Sequence, residues 1–158
     1  MKRWPILLLL CALCACGGFR GGGGASSPHA VSGRGLERLY HAMNPRQPVQ
    51  PARGVVAAAH AGDAAATAVI DMFVRLFGRF AGDMALAYKA TGGIYLAGGI
   101  VRRFGHLFDS AVFRQAFEAH PPYQQMLARI PTFLVTYTEP GLIGCAAFAA
   151  RNAGGRAG

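Results

Sequence analysis

Thr91-Gly92-Gly93-Ile94-Tyr95-Leu96-Ala97-Gly98-Gly99-Ile100-Val101 decides how this chain is read. A short apolar run with β-branched and aromatic residues predicts a strand over Gly93–Ala97. The glycine pair Gly98-Gly99 ends it, and a helical pattern follows at once from Ile100 to Phe108. Open α/β sheets place their ligands beyond the carboxyl ends of strands, at turns of this kind. Taken alone, the pattern favours a plainer reading, in which Gly92, Gly93, Gly98 and Gly99 permit turns and tight helix–strand packing.

Upstream, Asp63 stands where it can cap a helix running to about Ala90. Ile70, Phe73, Phe77, Phe80, Met84 and Ala87 recur at spacings of three and four, which predicts one buried stripe. Asp71, Arg75, Arg79 and Asp83 form a polar face on which Asp71–Arg75 and Arg79–Asp83 can pair. Gly78 and Gly82 cost this helix about 1 kcal/mol each relative to Ala, so close backbone packing is expected there. Further upstream, Ser32-Gly-Arg-Gly35 opens a short helix through Leu36, Leu39 and Tyr40. Pro45, Pro48 and Pro51 then mark a loop.

Downstream, Ala111–Ala119 reads as a helix stopped by His120-Pro121-Pro122, and a short helix covers Tyr123–Arg129. Thr132–Tyr137 is rich in β-branched and aromatic residues and predicts a second strand. Glu139-Pro-Gly141 turns the chain into a last helix from Leu142 to about Ala150, beyond which an Arg/Gly tail, 151–158, should fray. Helix, strand, helices, strand, helix is an α/β arrangement, a βαβ-type unit with a parallel sheet. So few strands make only part of a complete α/β domain.

The 158 residues allow one domain or part of a larger one, and a hydrophobic fraction of 53% is ample for a core. Net charge is +9, but fourteen of the sixteen cations are Arg, scattered singly and in pairs through a chain rich in Ala, Gly and Pro. No basic run interleaves with aromatics, so nucleic-acid binding is not expected. Cys11, Cys14 and Cys16 crowd into the N-terminal apolar run while Cys145 stands alone, so neither a disulfide framework nor a metal site is read from them. Lys2 and Arg3 before the apolar stretch, with small residues after it, make residues 1–16 signal-peptide-like. Leu13-Cys-Ala-Cys16 resembles a lipoprotein cleavage box with Cys16 as the acylated residue, although Cys14 is unusual at its position. Residues 17–30 are Gly/Ser-rich and read as a linker.

From Val31 to about Ala150 the sequence resembles the C-terminal part of bacterial glucokinases. Val31-Ser-Gly-Arg-Gly-Leu-Glu-Arg-Leu-Tyr40 is similar to the family's LSGpGLxxLY segment, and Gly62-Asp-Ala-Ala resembles its GDxxA helix start. Arg79-Phe-Ala-Gly-Asp-Met-Ala-Leu86 looks like GRFAGNLAL, with Asp83 where Asn is usual. Gly92-Gly-Ile-Tyr-Leu-Ala-Gly-Gly-Ile100 matches GGVYIAGGI almost letter for letter. Phe113-Arg-Gln-Ala-Phe-Glu118, Ile130-Pro131 and Glu139-Pro-Gly-Leu-Ile-Gly144 complete the order.

The resemblance implies a lobe of a ribonuclease-H-like, actin-like fold in which glucose and ATP with Mg²⁺ bind in a cleft between two lobes. The implied reaction transfers the γ-phosphoryl group to the sugar 6-hydroxyl, with a carboxylate as base. It places Gly98 and Gly99 on the adenosine side of that cleft, and a cytoplasmic location follows from the family. The family's glycine-rich phosphate loop, its Asn-Asp pair and its sugar-holding Glu and His lie upstream of the matching region. The chain has no Asn-Asp dipeptide and no Gly-Gly-Thr, so no catalytic residue is carried over. His29 lies near the sugar-binding stretch, but its flanks do not match. Asp63, Asp71, Asp83 and Asp109 read as capping or solvated, Glu139 as a turn residue, and Cys145 as a packed small hydrophobe.

Residues 1–30 are foreign to the family and read either as an accidental frame or as a fusion exporting a kinase remnant, lipid-anchored at Cys16. The expected function is a truncated glucokinase, inactive alone. The alternatives are an exported lipoprotein, which alone would touch a membrane, and a module that self-associates through apolar faces exposed by the missing lobe.

Overall fold

A computed structural model describes residues 8–11, 31–137 and 139–154. His29, the linker at 17–30, most of the signal-like segment and the end of the tail lie outside the described residues. The chain runs β1 (Leu8–Cys11), α1 (Gly33–Met43), α2 (Ala52–His60), α3 (Ala64–Tyr88), β2 (Ile94–Ala97) and α4 (Gly99–Phe104). A 3₁₀ turn (Gly105–Leu107) leads to α5 (Ser110–Glu118), α6 (Gln124–Ala128), β3 (Thr132–Leu134) and α7 (Pro140–Gly154).

The molecule is mostly helical around a small sheet of order β1-β2-β3, parallel throughout. Ile94 faces Leu8 on one side and Thr132 on the other, while Leu96 faces Leu10 and Leu134. The parallel pairing of the two expected strands is therefore present. The third strand is new: the apolar run Leu8–Cys11 lies along β2.

The long helix α3 organises the core. Asp63 caps it, its Oδ1 accepting from the Ala66 N–H at 2.6 Å. Lys89 closes it in the left-handed conformation at φ 50°. Its buried face is Ala66, Val69, Ile70, Phe73, Val74, Phe77, Gly78, Ala81, Gly82 and Ala85. The expected stripe is thus right for Ile70, Phe73 and Phe77 but drifts off at the C-terminal end, where Ala87 is exposed and Met84 half-buried. Ala81 and Ala85 continue the face because small residues let α5 come close.

That approach fills the space at two glycines. A Cβ at Gly78 would stand 2.5 Å from the Phe113 carbonyl oxygen and 2.9 Å from the Ala116 Cβ. One at Gly82 would stand 2.5 Å from both the Phe117 carbonyl oxygen and the His120 Cε1. Phe77 meets Phe113 edge-on at 5.7 Å between centroids, and Phe73 meets Phe104 at 5.5 Å. The imidazole of His120 sits on Gly82, with Nδ1 3.0 Å from the Phe117 carbonyl and Nε2 3.0 Å from Asp83 Oδ1. Asp83 therefore serves His120 across the interface rather than Arg79 along its own helix, whereas Asp71 and Arg75 pair at 2.9 Å as expected.

Four local elements differ from expectation. Helix α2 had no sequence signal beyond Val55, Val56 and Ala59, which are buried. Pro51 offers no side-chain cap, and the Ala52 N–H donates to Glu37 Oε1 of α1 at 3.0 Å. The helix after the glycine pair stops at Phe104, because Gly105 takes φ 54° and tightens the chain into the 3₁₀ turn. β3 ends at Leu134, short of Tyr137. Helix α7 continues through Arg151 to Gly154, past the point where fraying was expected.

Candidate functional site at the end of strand β2

The carboxyl ends of β2 and β3 lie side by side. The Val135 N–H donates to the Leu96 carbonyl at 2.8 Å, and the Arg102 guanidinium donates to the Tyr137 carbonyl at 3.2 Å. Gly98 and Gly99 stand at this edge, Gly98 between β2 and α4 and Gly99 as the first residue of α4.

Gly98 has φ 150° and ψ 153°, a conformation that side chains oppose, so glycine is needed there for the backbone itself. Gly99 differs. Its φ is ordinary, it is exposed, and a Cβ there would meet nothing within 4 Å. Packing of the described residues does not explain the second glycine; among them it leaves open space over the backbone. Among the described residues no side chain caps α4, which leaves amide groups of its first turn without a side-chain acceptor.

The chemistry of this edge is limited. From Ala90 to Phe108 the sequence contains no Asp or Glu, and none occurs from Arg129 to Thr138. Among the described residues the edge offers amide N–H groups, carbonyls and the Arg102 cation, and these two segments bring no carboxylate to it. Among the described residues no group of three or more His, Cys, Asp and Glu converges to hold a metal ion. The acidic candidates are spent on structure. Asp109 caps α5, its Oδ1 accepting from the N–H groups of Ala111 at 2.8 Å and Val112 at 3.1 Å. Asp63, Asp71 and Asp83 have the partners given above, and Glu139 is exposed just before α7.

A cavity of about 240 Å³ lies on one face of the sheet, among Leu96, Thr132, Leu134, Phe108 and Phe113. Gly98 and Gly99 are not among its described lining residues, so the glycine turn and the cavity are separate features. Arg114 at its wall is committed elsewhere. Its Nη1 donates to the Ile130 carbonyl at 2.9 Å, its Nη2 to the Glu118 carboxylate at 2.5 Å, and its plane lies 4.8 Å over Phe117. That clamp fixes where β3 begins, and nothing in the spacing of the sequence announced it. Arg102 was missed similarly: its role depends on β3 ending beside it. Cys145 is a correction: it is an exposed thiol rather than a packed small hydrophobe, because α7 presents it to solvent.

The glucokinase family model matches residues 23–152. The chain is 39% identical over 138 residues to a bifunctional protein glk of Burkholderia thailandensis, covering 84% of this chain and 22% of that protein. It is 40% identical over 126 residues to a glucokinase of Nitrobacter hamburgensis, covering 77% of this chain and 39% of the relative. A solved glucokinase from an Antarctic psychrotroph superposes with a TM-score of 0.70 at 32% identity, again over 77% of this chain and 39% of that one. The chain thus spans about two fifths or less of the length of the relatives it matches. With most of its residues matched in sequence and in fold, the chain belongs to the glucokinase family.

Proposed function

We propose that this chain carries the adenosine-side half of a glucokinase nucleotide site, at Gly98 and Gly99, and does not phosphorylate glucose by itself. The observation that carries the reading is the pair's unequal geometry. Gly98 is required by its backbone angle, whereas Gly99 leaves open space where only a ligand would use the exposed backbone. The pair lies beyond the carboxyl ends of two parallel strands, where α/β sheets hold nucleotides.

In this reading Gly98 and Gly99 let the nucleotide approach the backbone, α4 aims its first amides at it, and Arg102 adds positive charge nearby. Bound Mg-ATP would supply the transferable phosphoryl group and neutralise its developing charge. The surrounding fold is taken as part of a ribonuclease-H-like lobe, with residues 31–150 as the family-like unit and the cytoplasm as its location. Inactivity alone rests on the absence of a carboxylate along the glycine edge and of the family's phosphate loop and Asn-Asp pair. The export reading finds no support in the family match, and Leu8–Cys11 forms a strand.

Gly99→Val tests the site cleanly, because the added side chain enters open space and leaves the fold intact. ATP should perturb the amide resonances of residues 98–102 in the parent chain and not in the variant. Equal perturbation in both would discard the nucleotide assignment. Glucose 6-phosphate formed by the purified chain, above a Gly98→Trp control, would discard the claim of inactivity.

A further inference from the structure

His60 closes α2 and His106 lies in the 3₁₀ turn after α4, and the fold brings the two rings together edge-on, with centroids 4.9 Å apart. Both residues are exposed, so the contact adds little to the described core. One of the two is already oriented. His60 Nε2 lies 3.0 Å from the Arg103 carbonyl oxygen. A carbonyl only accepts, so this nitrogen carries a proton and donates it, and the neutral ring keeps its lone pair on Nδ1. Metal-binding histidines are held in the same way, one ring nitrogen donating to a carbonyl or carboxylate and the other left for the ion.

The spacing of the rings fits a shared ion. An imidazole nitrogen binds zinc at about 2.0–2.1 Å, which sets the ring centroid about 3.2 Å from the ion. Two such rings with centroids 4.9 Å apart subtend about 100° at it. That angle lies between the octahedral value of about 90° and the tetrahedral value of about 109°. The exposed His106 ring turns about its side-chain bonds to bring a nitrogen to the same point. His60 stands in the last turn of α2, the end of a helix dipole that favours a cation. Arg102 and Arg103, exposed on α4, oppose one and hold the affinity below that of a three-ligand centre. Water completes the coordination, so no third protein group is required.

We propose that His60 and His106 form a two-imidazole site for a divalent transition-metal ion of the zinc class. The ion clips the C-terminus of α2 to the turn at Gly105–Leu107. Ions of this class prefer imidazole nitrogen, whereas Mg²⁺ takes oxygen ligands. The site is thus distinct from any metal carried by a nucleotide, and it does not rest on the nucleotide reading.

Zn²⁺ titrated into the untagged chain, its thiols blocked with iodoacetamide, tests the site by NMR of the histidine rings. One equivalent should shift His60 Nδ1 and the ring signals of His106, while His60 Nε2 keeps its proton. Excess Mg²⁺ should move neither ring. His60→Gln keeps an amide donor for the Arg103 carbonyl and removes one ligand, and His106→Ala removes the other. Each should weaken Zn²⁺ binding, measured by calorimetry, by at least about tenfold, since even outer-shell losses cost about 10–100-fold. Far-UV circular dichroism should stay unchanged in both. His41→Ala, at an exposed position on α1, should bind Zn²⁺ as the parent does. Affinity that is unchanged in both the His60 and His106 variants overturns the proposal. Ring signals that ignore Zn²⁺, or that answer Mg²⁺ equally, overturn it as well.

Discussion

Helices α3 and α7 are both long and apolar, yet one is buried along a whole face and the other is bare. On α3, hydrophobic residues recur with the helical period and the opposite side carries Asp71, Arg75 and Arg79. On α7 the apolar residues run round the whole cylinder, and the described side chains are all exposed. Periodicity assigns a helix one buried face and therefore a known neighbour; continuous apolarity assigns it several neighbours. α3 finds its neighbours within the chain, in α1, α2 and α5. α7 packs closely against none of the described elements, and the chain covers only part of the relatives it matches.

The contrast is sharpest for phenylalanines. Phe77 is 2% exposed and packed edge-on against Phe113. Phe77→Ala should cost about 3–5 kcal/mol, the range for emptying a fully buried aromatic site. Phe148→Ala, at an exposed position, should stay within about 0.5 kcal/mol. Urea unfolding of both variants measures the difference. A large loss from Phe148→Ala would mean that α7 is already buried within the chain and would erase the comparison.

Glycines give the next largest effect. Gly82→Ala gains about 1 kcal/mol of helix propensity but sets a methyl 2.5 Å from the Phe117 carbonyl, a backbone atom that cannot turn aside. Overpacking at such a contact costs about 1–3 kcal/mol. The variant should therefore be less stable by about 1 kcal/mol, and the ring of His120 should leave Asp83. Nuclear Overhauser contacts between His120 and the 82–83 amides follow that movement. Asp63→Ala ranks beside it, removing the cap of α3 for about 1 kcal/mol by urea titration.

How much was legible follows the same division. Asp63 and Asp109 were readable as caps because a cap is a local device, fixed by residues two or three places apart. Gly78 and Gly82 were readable because a glycine inside a strong helical pattern needs a reason. The strand before Gly98 and the parallel sheet followed from a short apolar run between turns. What escaped were features made by distant partners. Glu37 caps α2 from another helix, Arg114 gathers carbonyls from the end of α6, and Asp83 answers His120 37 residues away. The strand Leu8–Cys11 was hidden because a run of leucines and cysteines behind two charges reads as a leader as readily as a strand. At the site, the glycine pair was visible as a motif. The difference between its members was not, since only the folded backbone tells a glycine needed for its angle from one that leaves space.

The smallest effect tests the bare helix itself. Gly144 lies within α7, and a Cβ there would meet nothing within 4 Å. Gly144→Ala thus has the propensity gain of Gly82→Ala, about 1 kcal/mol, without the clash. In a helix packed on the core, that gain would raise global stability. The described side chains of α7 from 141 to 152 are all exposed, so its formation is coupled only weakly to the described core, and the gain should remain local. The urea midpoint of the core should move by less than about 0.5 kcal/mol in equivalent stability, while hydrogen exchange of the amides from 145 to 152 slows severalfold. If the core midpoint rises by the full amount in the isolated chain, α7 is already integrated with α3 and α5, and the two helices differ less than their exposed surfaces indicate.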